Sequence, residues 1–522
     1  MMAKIYSDGK SLQESILNGV NKLADNVAST LGPRGRNVII HVKGKNPIVT
    51  KDGVTVAKFV DFEDEFENVG AQIIKQVASE TNNLAGDGTT TSTVLARGIL
   101  NNTQKYIAAG ASPVELKRGM DKALEEIVKK IEEISRPIQT QEEIEHVATI
   151  SANGDKSIGK LISMAVDQAG HDGAISIEEA KSMETTLDVT EGFRFDSGYF
   201  ANAFVNNERR VAVEHDGAYI LVTDYKLDTV QEILPALELV ARESKPFVII
   251  AEEVEGQALA ALIMNAMRGT MKVAAVKAPR YGQERHNILK DLALAVGATF
   301  VSRESGKKLS DIKLTDLGEC KKIEVLKYST TIVGGNSDWE EIDKRVESLK
   351  EEIRQIDDIA ECERIQERIT RLISGVAIIK VGAATEVEML EKKYRVEDAL
   401  EAVKSALEEG IVPGGGVVLA RCKDFKVEVD NEDQKYGAEI IRKSLESPIR
   451  QMALNADESP DLILSLVENE MGNCGWDYIS NKMVDMIESG ITDPAKVTRV
   501  ALQNAVSAAS ILITTGHAIV EV

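Results

Sequence analysis

Basic and aromatic residues are both in short supply. Lys and Arg number 62 against 84 Asp and Glu, a net charge of −22, which argues against nucleic acid or an anionic membrane surface as the main partner. Phe, Trp and Tyr together make up 4% of the chain, too little for the stacking platforms that hold single strands. The four cysteines, Cys320, Cys362, Cys422 and Cys474, lie far apart, without a CxxC pair and without histidine at metal-ligand spacing. That pattern excludes a disulfide framework and a zinc ribbon, and predicts free, mostly buried thiols in a reducing compartment. No charged-then-apolar leader opens the sequence, and no uninterrupted apolar run approaches a membrane span, so a soluble cytoplasmic protein is expected. A Walker loop of the form GxxxxGKS/T, which a P-loop kinase would carry, is absent.

What the chain does have is length and one run specialised for chemistry. At 522 residues it exceeds what a single core supports, and about three domains are expected. The run is Gly86-Asp87-Gly88-Thr89-Thr90-Thr91. Its glycines let backbone approach a bound anion. Its threonines offer hydroxyls and, at the start of a helix, free N–H groups for phosphate oxygens. Asp87 is a hard oxygen ligand suited to Mg²⁺. A plain Gly/Thr turn capping an ordinary helix fits the same residues. Two further turns share the composition: Thr30 to Arg36 and Thr50 to Gly53. Three such loops, if they converge, make a nucleotide pocket.

Hydrophobic spacing organises the rest. Leu12, Ile16, Val20, Leu23, Val27 and Leu31 recur three and four apart, which predicts an amphipathic helix over 11–31. Strands follow at 37–40 and from Ile48, and helices at 66–81, 91–109 and 113–135, the last closing before Pro137. After it come short helices at 143–150 and 157–169 and strands at 173–177 and 185–189. From Gly192 to about 376 strands alternate with helices, as in an α/β domain. Inside it, Ile342, Val346, Leu349, Ile353 and Ile356 keep a heptad rhythm that continues with Ile365, Ile369 and Leu372. Two heptads are too few for a coiled coil with a partner, and an antiparallel pair packed within the domain is expected. The tail from Val387 turns helical again around Gly414-Gly415-Gly416. The chain leaves one helical domain, builds others and returns.

Taken together, these runs resemble the group I chaperonins of the bacterial GroEL type along essentially the whole chain. The resemblance is carried by Leu31-Gly32-Pro33 with Gly35-Arg36-Asn37-Val38, Thr50-Lys51-Asp52-Gly53-Val54 and Ala85 to Thr91. It continues in Thr149-Ile150-Ser151-Ala152-Asn153, Val381 to Glu386, Arg395 to Leu400 and Asp493-Pro494. It implies a multidomain α and α/β subunit: a mostly helical equatorial domain (1–133 and 409–522), a small α+β intermediate domain (134–190 and 376–408) and an α/β apical domain (191–375). It implies an ATPase that promotes refolding of non-native proteins in a ring-shaped chamber. By this resemblance Thr30, Leu31, Gly32, Pro33, Ile150, Gly415 and Asp493 line ATP or ADP, with the Lys51 backbone near the phosphates and a K⁺ ion. Asp87 holds Mg²⁺, Gly88, Thr89, Thr90 and Thr91 cradle the phosphates, and Asp52 and Asp398 orient the attacking water. Asp398 arrives only on domain closure, about hinges at Pro137 with Gly410 and at Gly192 with Gly375. Without the resemblance, Asp398 reads as a solvated helix acid.

The same resemblance makes Tyr199, Phe204, Leu234, Leu237, Leu259, Ile263 and Met264 an exposed apolar groove for unfolded chains and for a co-chaperonin lid, where spacing alone would make them core. Several positions depart from the family pattern. Ala203 replaces a tyrosine in the groove, and Asp477-Tyr478-Ile479 replaces Asn-Ala-Ala beside the adenine. Ser197 replaces an arginine that pairs between subunits with the acid at Glu386, Ser459 replaces an acid that faces Arg450 across two rings, and the Gly-Gly-Met tail is missing. A ring of about seven subunits with weakened back-to-back pairing is therefore expected, single for part of its cycle. A divergent, phage-encoded copy fits these changes. The rival reading is a passive holdase, which needs the groove but has no use for Asp52, Asp87 and Asp398.

Overall fold

The computed structural model describes residues 4–41, 47–169, 174–180, 182–190, 192–337, 339–354, 359–373, 376–470 and 472–521. The chain forms two compact units. One comprises Met1–Met164, Lys181–Met183 and Val381–Val522, the other Ala165–Ala180 and Glu184–Lys380.

The first unit is a helical packing around Ala495–Thr514. The helices Glu65–Ala85, Thr89–Ala108 and Pro113–Ile134 pack on it, and Gly9–Ala28 and Glu432–Ser444 pack on those in turn, in one continuous core. Leu12, Ile16, Val20, Leu23 and Val27 are buried as their spacing predicts, while Leu31 falls beyond the helix end in the following turn. Ala495–Thr514 is long and apolar enough to cross a membrane by length and composition, which the sequence reading did not anticipate. It is mostly buried, with Leu502, Val506 and Leu512 in the core of this unit. Small strands stitch the unit across long sequence separations. Lys4–Asp8 pairs antiparallel with His517–Glu521, Ile411–Pro413 with Thr492–Pro494, and Cys474–Asp477 with Lys482–Asp485. The sequence reading had none of these in its helical tail. At the expected hinge, Arg136 and Ile411 exchange backbone hydrogen bonds of 3.1 and 2.8 Å.

The second unit is built on a seven-stranded sheet. Val273–Lys277, Phe247–Ala251 and Tyr219–Val222 run parallel, and the sheet continues antiparallel through Gly318–Val325, Thr330–Gly335 and Gly192–Phe195. Phe247 to Ala251 is buried along its whole length, as a parallel strand covered on both faces must be. A separate three-stranded sheet joins Ala174–Glu179, Val376–Val381 and Thr186–Thr190. Gly173, Ile356 and the expected hinge residue Gly375 lie outside the described residues.

The heptad segments form Trp339–Ile353 and Ile359–Ile373, which pack on each other. Ile342, Val346, Leu349, Ile365, Ile369 and Leu372 all join the core of this unit, so the pair is internal. It is docked electrostatically as well. Asp291, 2% exposed, accepts from Arg368 Nε at 2.7 Å and Nη2 at 3.1 Å, and from Arg345 Nε at 3.0 Å. Removing the acid leaves a buried guanidinium uncompensated. Asp291→Ala is therefore expected to cost about 3 kcal/mol, read as a loss of thermal stability in the wild-type and variant chains. An unchanged melting profile would show that the helical pair is held by its apolar face alone.

Candidate functional site

Within the first unit the three Gly-containing loops converge on a cavity of about 290 Å³. Every residue expected in a nucleotide pocket lines it: Thr30, Leu31, Gly32, Pro33, Lys51, Asp52, Asp87, Gly88, Thr89, Thr90, Thr91, Ile150, Asp398, Gly415 and Asp493. Helix Glu65–Ala85 ends at Gly86 in the left-handed region, φ 71°, and Gly88, φ 85°, begins Thr89–Ala108. Thr89, Thr90 and Thr91 thus bring a helix N-terminus, with its unsatisfied N–H groups, to the cavity wall. Thr30 Oγ1 lies 3.4 Å from Thr90 Oγ1.

Close backbone approach explains two of the glycines. A Cβ on Gly53 would stand 2.4 Å from Thr90 Oγ1, so only glycine lets the Asp52 loop meet the threonines. A Cβ on Gly86 would stand 2.2 Å from Cβ of Glu401, on the helix Glu386–Glu409 that also carries Asp398. That helix is seated on the glycine loop a second time, where Ser405 Oγ donates to Ala85 O at 2.8 Å. Asp52 caps Gly53–Lys58, accepting from the N–H groups of Val54 and Thr55 at 3.1 Å each.

Negative charge is in excess here. Asp52, Asp87, Asp398 and Asp493 face the cavity together with Lys51 and Arg395, and Arg395 is already engaged by Asp155 at 3.2 Å and Glu391 at 2.8 Å. Burial pushes the Asp87 carboxyl up; the Gly88 N–H and the Ser151 hydroxyl, 3.0 Å from Oδ2, offset this in part, and the charge on Asp52 adds to it. Asp493 is pushed up to about 7 by burial and by the charge on Asp87, against backbone N–H groups of Gly416 and Gly415. Burial lowers the Lys51 ammonium, whose Nζ donates to Gly32 O at 2.9 Å. Among the described residues no three His, Cys, Asp or Glu side chains form a ready metal cage. A cation here would be shared between one carboxylate and ligand oxygens, the way Mg²⁺ is held beside phosphates.

Several lining residues were not foreseen. Ser151 lies inside the Thr149–Asn153 motif and Trp476 directly before Asp477, so position beside a matched or altered run could have pointed to them, whereas Met452 and Met486 have no such neighbour. Tyr478, which raised doubt about base contacts, is buried, and its hydroxyl donates to Ile449 O at 3.0 Å. Asp477 accepts from Ile479 N and Ser480 N, closing its own turn.

In the second unit the expected apolar groove is only partly exposed. Leu234 and Met264 are 43% and 46% exposed, and Tyr199, Leu259 and Ile263 are half-buried. Leu237 and Phe204 are buried in the core, contrary to expectation. On Val230–Glu243 the three-residue step from Leu234 to Leu237 turns the second side chain inward, and Phe204 closes a 3₁₀ turn against Gly256–Met267. Met267, 72% exposed, extends the apolar surface and was missed.

The Asp493 environment makes a testable demand. A carboxyl raised from its ordinary value stabilises the fold most below about pH 4, and that stability is lost as pH rises through about 7. Asp493→Asn removes the penalty, so the variant should gain in melting temperature relative to wild type between about pH 5 and about pH 8. A difference that does not grow with pH would show that Asp493 is accommodated as an ion.

A family model described as the TCP-1/cpn60 chaperonin family matches residues 23–521. Among solved structures, the chaperonin gp146 from bacteriophage EL 2 (Pseudomonas aeruginosa), crystallised in the presence of ATP-BeFx, is similar in two crystal forms. Form II superposes with a TM-score of 0.68 and form I with 0.63, each at 22% identity and covering 99% of both chains.

Proposed function

Because the chain belongs to the TCP-1/cpn60 chaperonin family, we propose that it is an ATP-hydrolysing chaperone that refolds non-native proteins within a ring. The observation that carries this reading is the meeting of Asp52, Asp87 and Asp398 with the Thr89–Thr91 helix start around one cavity. The presence of ATP-BeFx with the similar phage chaperonin supports it. Asp87, buried beside the threonines, suits Mg²⁺, which when bound would neutralise charge on the transferred phosphoryl group. The Thr30 and Thr90 hydroxyls and the Lys51 backbone offer hard oxygens suited to K⁺. Thr89, Thr90 and Thr91 would hold the phosphates, while Asp52 and Asp398 position the attacking water.

Asp398 rides on the helix seated against Gly86, and that seating supports reading this arrangement as a closed one. Withdrawal of that helix would remove Asp398 from the site and gate hydrolysis. Pro137 and Gly410 suit the hinge: Gly410 has φ 83°, and a Cβ there would stand 2.5 Å from Arg136 O. The domain boundaries expected from the sequence divide the chain at such points. Leu234, Met264, Leu259, Ile263 and Tyr199 would form the client-binding rim over Leu237 and Phe204, the surface a co-chaperonin lid would share. The four free cysteines suit a reducing cytoplasm.

The test is recovery of an aggregation-prone protein with ATP, Mg²⁺ and K⁺, with and without a bacterial co-chaperonin. Recovery should require ATP. Asp398→Ala should retain ATP binding and lose hydrolysis by about a hundredfold or more. Suppressed aggregation without ATP-dependent recovery would make the protein a holdase, the reading that the exposed Leu234, Met264 and Met267 serve equally well.

Ring number has its own handle. Arg450 is engaged within its own chain, Nε with Glu446 at 3.1 Å and Nη1 with Asp461 at 2.7 Å. With that guanidinium occupied and Ser459 offering no charge, back-to-back pairing should be weak. Light scattering is expected to find rings of about seven subunits, at least in one nucleotide state. Only fourteen-subunit particles, about twice that mass with and without ATP, would refute the weak pairing.

A further inference from the structure

The cavity has two chemically different ends. The carboxylates gather with the threonines, whereas Leu31, Met452, Trp476, Tyr478, Met486 and Ile491 pack together in a single apolar cluster. On the reading that the cavity takes ATP, on which this inference rests, the apolar cluster faces the base and the threonines face the phosphates. The walls of the apolar end come from two segments far apart in sequence. One is the loop Leu31-Gly32-Pro33, the other the hairpin of Cys474–Asp477 and Lys482–Asp485 with its turn at Tyr478 and Ile479. Covalent connectivity does not set the gap between them, so side chains must.

Each wall is first anchored to the helix Ser447–Asn455. Asn455 Nδ2 donates to Ala28 O at 2.8 Å and Leu31 O at 2.9 Å, tying the loop to Ser447–Asn455. The Tyr478 hydroxyl ties the hairpin to Ile449 O in the same helix. Among the described residues, the direct hydrogen-bonded link between the walls is Arg34. Its Nε donates to Tyr478 O at 3.0 Å and its Nη2 to Ile479 O at 3.5 Å. The fork of a guanidinium spans two successive carbonyls, which a single ammonium cannot do with the same geometry. Arg34 itself is exposed and does not line the cavity, so it acts on a ligand only through the residues it holds.

We infer that Arg34 is a positioning residue that sets the width of the base-binding end, and so governs affinity for the nucleobase independently of the phosphate chemistry. Losing it frees the Tyr478–Ile479 turn to drift from Leu31 and Pro33. Asp52, Asp87 and the Thr89 helix start make no hydrogen bond to Arg34 and stay in place.

The experiment compares the full-length wild type with Arg34→Met, which keeps length and removes both donors, and with Arg34→Lys. ATP binding is measured by calorimetry with Mg²⁺, hydrolysis at steady state, and the phosphate end is probed by inhibition with inorganic tripolyphosphate. One or two hydrogen bonds at a half-exposed site correspond to about a fivefold effect. Arg34→Met is expected to weaken ATP binding and raise KM by about that factor, with kcat within about twofold and tripolyphosphate inhibition unchanged. Arg34→Lys should recover part of the loss. Unchanged ATP binding in Arg34→Met, or equal weakening of ATP and tripolyphosphate, would overturn the assignment while leaving the ATPase reading intact. A wild type that binds no ATP would overturn that reading and this one with it.

Discussion

Carboxylates crowded out of water repel one another, and a fold that keeps them together must hold them there by other means. Asp52 raises Asp87, and Asp87 raises Asp493, in a space where burial already disfavours charge. The means are rigid neighbours: a capped helix under Asp52, two backbone N–H groups on Asp493, and the serine hydroxyl of Ser151 on Asp87. Around these lies the dense packing of Ala495–Thr514 with the N-terminal helices. On the proposed reading, a cation arriving with a phosphate chain would relieve that repulsion. Differential affinity of that kind is what lets a ligand shift a conformational equilibrium.

Much of this was legible in the residues, because its signals are local. Two glycines flanking an aspartate, then three threonines, suggest an anion site or a plain helix cap without any distant partner, and all three such loops meet at the cavity. Three-and-four spacing placed Gly9–Ala28 and the buried face of the internal helical pair. What stayed hidden depends on partners hundreds of residues away. Lys4–Asp8 becomes a strand only because His517–Glu521 lies beside it, and neither segment has a turn to signal a hairpin. Tyr478 put base contacts in doubt; it is buried, its hydroxyl is satisfied by Ile449 O, and it also lines the cavity.

The apolar groove shows the limit of periodicity from the other side. Leu234 and Leu237 sit on one helix three residues apart, close enough to share a face and far enough for one to be core and the other surface. The difference is decided by what covers the helix. An amphipathic stripe wider than its cover leaves its edge in solvent, as Leu234 does here, and Met264 and Met267 are exposed on the helix Gly256–Met267. Exposed methionine and leucine accept varied apolar partners, since thioether chains repack at little cost.

The pairing of the two chain ends has a consequence for synthesis. The second unit draws on an almost continuous run, so its sheet can close while the chain is still emerging. The first unit cannot. Its central helix, Ala495–Thr514, and the strand that pairs with Lys4–Asp8 are made long after the helices that they join. Until they arrive, Leu12, Leu23, Ile74 and Leu95 have no complete core to enter, and loop closure spans nearly the whole polypeptide. The nascent chain therefore passes much of its synthesis with these helices unsheltered by the core that they later join.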